Sequence, residues 1–117
     1  PIFIQIAEGI EDSILSGAFP EESQIPSITE FSVNYKINPA TALKGINLLV
    51  DQGILYKKRG IGMFVAEGAK QQIIGKRKNS FYDRFVRGLV EEASSLSITE
   101  EELIEMIRRA REEQTKK

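Results

Sequence analysis

Apolar residues recur every four positions at the start of the chain: Ile2, Ile6, Ile10 and Ile14, with Leu15 adjoining. That spacing is one face of an amphipathic helix over roughly residues 2–15. Ser16-Gly17 ends it, because glycine supplies the left-handed conformation that closes helices. Phe19-Pro20-Glu21-Glu22-Ser23 reads as a turn. Ser27-Ile28-Thr29-Glu30 fits a capping box, so a short helix is expected from there to about Tyr35, burying Ile28, Phe31 and Val33. After the tight link Lys36-Ile37, Asn38 is placed to cap a third helix and Pro39 to open it, where a missing N–H costs nothing. Ala42, Gly45, Ile46, Leu49 and Val50 form its inner face, and Gly53 stops it after Gln52.

The period then changes. Residues 54–57 and 63–65 read as two short strands, with Lys58-Arg59-Gly60-Ile61-Gly62 as a basic hairpin tip. Glu67-Gly68-Ala69 reads as a hinge into a long helical pattern over about residues 70–96. Ile74, Phe81, Phe85, Leu89, Ala93 and Leu96 share a stripe there, with Tyr82 beside it; Gly75 and Asn79-Ser80 mark a place for a break. Thr99 to Glu102 is a second capping box, and Leu103, Met106, Ile107 and Ala110 line the last helix.

Two short helices joined by a few residues, followed by a hairpin, make a winged helix-turn-helix pattern. The expected fold is mainly α with a small β-hairpin wing: a winged domain over 1–68 and a two-helix dimerisation segment over 69–117. The outward residues at the start of the third helix are Asn38, Pro39, Ala40, Thr41 and Lys44, small enough or polar enough to lie in a major groove. Lys57, Lys58, Arg59 and Gly60 form a cationic tip that could reach backbone or minor groove. The same residues have plainer roles. Ser27 and Asn38 cap helices in any case, Lys44 could be a solvated charge, and a basic hairpin keeps sheet edges from pairing. On pattern alone the fold could bind DNA or another protein.

Composition narrows the chemistry. The 117 residues contain no Cys and no His, which excludes disulfides, thiolate nucleophiles, imidazole metal ligation and the Ser-His-Asp triad. No carboxylate pair or phosphate loop stands at a useful spacing, so neither an enzyme nor a cofactor is expected. The net charge of −1 conceals a division. Residues 1–69 carry five bases against eight acids, residues 70–90 six against one, and residues 91–117 five against eight. Within the first block all five bases fall between Lys36 and Arg59, so a local basic surface can form on a chain of near-zero charge. Lys76-Arg77-Lys78 is expected on a solvated face or against flanking DNA. No apolar run approaches the roughly 20 residues of a membrane helix. No secretory leader is visible, so no membrane partner and a cytoplasmic location are expected. The chain opens at Pro1 rather than Met, and residues preceding it are expected.

Several segments resemble the GntR family of DNA-binding regulators in order and spacing. They are Pro1-Ile2-Phe3-Ile4-Gln5-Ile6, Ile14-Leu15-Ser16-Gly17, Ile25-Pro26-Ser27-Ile28-Thr29-Glu30-Phe31 and the hairpin Arg59-Gly60-Ile61-Gly62-Met63-Phe64-Val65. Ile37-Asn38-Pro39-Ala40-Thr41-Ala42 with Lys44, and Ile98-Thr99-Glu100-Glu101-Glu102-Leu103 in a short tail, are similar to the YtrA-like subfamily. The resemblance implies a repressor that contacts double-stranded DNA through Ser27, Thr29, Asn38 to Thr41, Lys44 and Lys57 to Gly60. It assigns no effector. Four positions depart from the family: Thr29, Leu43 and Ile61 stand where arginine or lysine is frequent, and Ala40 where asparagine is. The apolar stripe through Phe81, Phe85 and Leu89 could pack onto the chain's own winged domain, but a tail with two apolar stripes cannot cover both by itself, so a homodimer through Ile74, Phe81, Tyr82, Phe85, Leu89, Leu103 and Ile107 is expected.

Overall fold

The structure is a computed structural model describing residues 1–116. Six α-helices and one hairpin follow in the order α1 (Ile2–Ser16), α2 (Ile28–Tyr35), α3 (Pro39–Asp51), β1 (Leu55–Lys58), β2 (Gly62–Val65), α4 (Ala69–Phe81), α5 (Arg87–Ser95) and α6 (Glu100–Thr115). A π-helical turn, Tyr82–Val86, joins α4 to α5. The chain divides into two compact units, residues 1–76 and the residues from Arg77 onward.

In the first unit α3 packs across α1 and α2. Ala7, Ile10 and Ile14 of α1 meet Ala42, Ile46 and Leu49 of α3 and Phe31 of α2 in one core, closed by Ile54, Leu55 and Val65 of the hairpin. Helix α1 approaches so closely that a Cβ on Gly45 would stand 2.7 Å from the Phe3 carbonyl oxygen. Only glycine lets the two backbones meet there. Val33, expected inside, is 70% exposed. Two residues advance a helix by about 200°, so burying Phe31 turns Val33 to solvent.

The hairpin is antiparallel, pairing Leu55 with Val65 and Lys58 with Gly62. The loop between α1 and α2, which the sequence predicts only as a turn, adds an edge to it. Glu22 N–H donates to Val65 O (2.8 Å), Val65 N–H to Ser23 O (2.9 Å) and Ile25 N–H to Met63 O (3.0 Å).

The expected hinge at Glu67–Ala69 is instead a clamped helix start. Ala69 is the first residue of α4, and it and Ile73 are fully buried in the core of the first unit. Glu21 accepts from the backbone N–H of Gly68 (2.8 Å) and of Lys70 (3.1 Å), capping α4 from 47 residues away. These bonds hold its carboxyl below the usual glutamate pKa. Lys76 stays exposed, as expected of a solvated face, yet its ammonium also binds the carboxylate of Glu11 and the side-chain oxygen of Gln52 (2.8 Å). Glu11 is 3% exposed, and a buried carboxylate needs a countercharge.

Helix α4 runs through Gly75 and Asn79-Ser80 without a break, because all three retain the N–H that the ladder needs. The irregularity lies at Tyr82–Val86. Residues spaced by four drift about 40° per step in a straight α-helix. An i→i+5 turn absorbs an extra residue and offsets that drift, and the Phe81 and Phe85 rings stand 5.3 Å apart. Thr99 and Glu102 form the expected reciprocal cap of α6. Among the described residues no helix is long and apolar enough to cross a membrane.

Candidate nucleic-acid interface

Local capping sets α3 at the surface. The Asn38 side-chain oxygen accepts from Ala40 N–H (2.8 Å), and Pro39 occupies the first helical position. Lys36, in the left-handed region at φ 53°, turns the chain sharply from α2 into that cap. With Ala42, Gly45, Ile46 and Leu49 turned inward, the opposite face presents Asn38, Pro39, Ala40, Lys44 and Asn47 to solvent, with Thr41 half-buried at its margin. Leu43 lies on the same exposed face. Helical period alone places residue 43 beside 40, 44 and 47, so this position was readable from the sequence.

Lys44 extends over the Phe3 ring, 4.2 Å from its centroid, which fixes the ammonium beside α3 while leaving it exposed. Ser27 accepts from Glu30 N–H (3.1 Å) and Glu30 accepts from Ser27 N–H (3.0 Å), so the Ser27 hydroxyl proton remains available to an acceptor. Thr29 is exposed in the same first turn of α2.

The wing separates the two lysines that the sequence places side by side. Lys57 pairs across the ladder with Met63 and lines a cleft of about 480 Å³ together with Leu43 and Asn47 of α3, Ser27 and Ile61. Lys58 points to the other face, its ammonium 4.2 Å from the Phe64 ring centroid. Strand alternation was the available signal for this division. Arg59 and Gly60 are exposed at the tip. Gly60 takes φ +77° at the third position of a turn closed by Ile61 N–H donating to Lys58 O (3.0 Å), a type II geometry that favours glycine. No acid among the described residues forms an ion pair with Lys44, Lys57, Lys58 or Arg59. The surface is therefore cationic and open to an anionic partner despite the chain's acidic balance.

The family model for bacterial regulatory proteins of the gntR family matches residues 4–65, more than half of the chain and all of the elements just described. This chain belongs to the GntR family. It is 30% identical to the HTH-type transcriptional regulator YhcF of Bacillus subtilis over 92% of this chain and 88% of that protein. A GntR-family transcriptional regulator from Bacteroides thetaiotaomicron superposes with a TM-score of 0.79 at 37% identity, covering 97% of this chain and 99% of that one. The structure of AraR(DBD) in complex with operator ORX1 matches with a TM-score of 0.54 at 35% identity, over 56% of this chain and 80% of that chain. The GntR chain is accordingly a DNA-binding transcriptional regulator and not an enzyme, with the expected winged helix-turn-helix fold.

In the second unit Phe81, Tyr82, Phe85 and Leu89 are exposed, as are Val90, Leu96 and Ile107. Ile74, which falls within the first unit, and Leu103 are half-buried. Arg84 stands over the Phe85 ring and Arg87 over the Tyr82 ring, at 5.3 and 5.7 Å from the centroids.

Proposed function

We propose that the chain is a homodimeric repressor that lays one α3 into each of two major-groove half-sites of a twofold-symmetric operator. The observation that carries this is the outward face of α3, small and polar at its N-terminal end, with Lys44 as its cation and Asp51 only at its last turn, standing beside a wing with three cations. Ser27, Thr29, Asn38, Pro39, Ala40, Thr41 and Lys44 would meet one half-site; Lys57, Lys58, Arg59 and Gly60 would meet the adjoining backbone or minor groove. AraR(DBD), which shares this winged domain, is bound to an operator in its own structure.

Residues 1–68 then carry the DNA contacts, with the start of α4 completing their core, and the dimer forms within residues 69–117. Phe81, Tyr82, Phe85 and Leu89, with Ile74, Leu103 and Ile107, would form the seam, because large apolar side chains left exposed on α4, α5 and α6 mark an association surface. The Asn38-Pro39 opening of α3 and the segment Ile98-Thr99-Glu100-Glu101-Glu102-Leu103 support the YtrA-like subfamily. Repression follows if the bound dimer occludes a promoter in the cytoplasm.

Selection of binding sites from random duplexes tests the reading. Two half-sites related by a dyad, about one helical turn or a multiple apart, are expected. Two copies of Lys44, Lys57, Lys58 and Arg59 give eight cations, so a slope of log K against log salt of about −7 is expected. A flat salt response with no enriched site would identify a protein-binding winged helix instead.

A further inference from the structure

We propose that Ile61 is an apolar wedge, inserted by the wing tip into the minor groove, that makes the protein prefer easily unstacked base steps at that position. The inference rests on the DNA-binding reading above and assigns the tip a role that the cations beside it do not have.

A single exposed isoleucine is ordinary on a protein surface and would carry nothing alone. The tip is different because its backbone is locked. Ile61 N–H closes the turn onto Lys58 O (3.0 Å), and Ile61 O accepts from the Gln24 side-chain amide (2.9 Å), a brace from the loop before α2. The brace requires glycine next door: a Cβ on Gly62, at φ +146°, would stand 2.5 Å from the same Gln24 nitrogen. Both backbone polar groups of Ile61 are thus satisfied inside the protein. Its side chain, 62% exposed, is held at the apex of the hairpin.

The surroundings point to one occupant. Ile61 lines the cleft whose opposite wall is Leu43 and Asn47 of α3, so it borders the surface that faces the duplex. Arg59 precedes it by two residues, and Lys57 lies on the same strand pair, so phosphates flanking a groove would be neutralised on either side. An isoleucine cannot donate to a phosphate or to a base edge. What it can do in a groove is displace water and pry adjacent base pairs apart, as apolar side chains of minor-groove binders do. Pyrimidine–purine steps, above all TA, unstack most easily, so the preference should fall on them.

The test uses the full chain, a duplex chosen by binding-site selection, and 2-aminopurine scanned along the flank of each half-site. Wild type is expected to enrich TA or CA steps where the wing reaches and to brighten 2-aminopurine there on binding. Ile61→Ser, on an exposed turn outside the core, is expected to bind about tenfold more weakly and to lose both the step preference and the brightening. Ile61→Val should retain both. Ile61→Arg is expected to steepen the salt dependence while losing the step preference, which separates a wedge from a missing charge. Ile61→Ser matching wild type in affinity, step preference and fluorescence would overturn the wedge and leave the regulator intact. If wild type bound no duplex at low salt, the DNA-binding reading itself would fall.

Discussion

Replacing Gly45 by alanine sets two effects of opposite sign against each other. Within a helix the exchange ordinarily stabilises by about 0.5–1 kcal/mol, because alanine loses less backbone freedom on folding. In α3 the added methyl would meet Phe3 O at 2.7 Å and the Ile6 side chain at 3.2 and 3.3 Å. The first of these is backbone, so relief requires α1 or α3 to move as a body. Overpacking of this kind costs about 1–3 kcal/mol, which exceeds the propensity gain. A net loss of about 1–2 kcal/mol is expected. In a unit of 76 residues each kcal/mol shifts Tm by roughly 4–8 °C. Gly9→Ala is the control: Gly9 lies in α1 with nothing within 4 Å of its ideal Cβ, so only the propensity gain operates. Thermal unfolding followed by circular dichroism should give opposite shifts for the two variants. A Gly45→Ala protein as stable as wild type, or a Gly9→Ala protein equally damaged, would refute the account of how α1 positions α3.

Three further outcomes follow from the geometry. Lys44→Ala should weaken operator binding several-fold and flatten the salt slope by about one unit per protomer, with Tm nearly unchanged; fluorescence anisotropy at several salt concentrations reads both. Phe85→Asp should convert the dimer to monomer in analytical ultracentrifugation, and an undiminished dimer would place the seam elsewhere. Glu21→Gln should speed hydrogen exchange at the Gly68 and Lys70 amides. Because the folded-state pKa of Glu21 is depressed, its contribution is present above the ordinary glutamate value of about 4.3. That contribution is lost as pH falls through the lower folded value. Wild type and Glu21→Gln should therefore converge in strong acid.

What was legible in the sequence was what neighbours in sequence determine. Ser27 with Glu30, and Asn38 with Pro39, announce helix starts because each cap closes within three residues. The inner face of α3 follows from its period, and the Gly60 turn from its chemistry. Contacts across long separations carry no period and are invisible at that level: Glu21 with Gly68, Gln24 with Ile61, and Glu11 with Lys76 are 47, 37 and 65 residues apart. Those bonds turn an expected hinge into a cap and give an exposed lysine the further role of countercharge. In the candidate interface the basic tip is evident as a cluster, whereas its division between two faces needs the strand alternation to be applied residue by residue. Leu43 and Ile61 read in the sequence as losses of positive charge because a cation is the expected residue; their placement gives them positions that a cation would not use in the same way.

The burial of Ala69 and Ile73 also limits how this protein could be dissected. Cutting after Gly68 would remove a fully buried isoleucine worth about 1.5–3 kcal/mol and take away the ammonium that answers Glu11. Against a total stability of about 5–15 kcal/mol, that is a large fraction. A reading head cut at the end of its hairpin is therefore expected to melt well below one that keeps the start of the following helix. The first two turns of that helix belong to its core, so the segment joining the two halves also helps keep the first one folded.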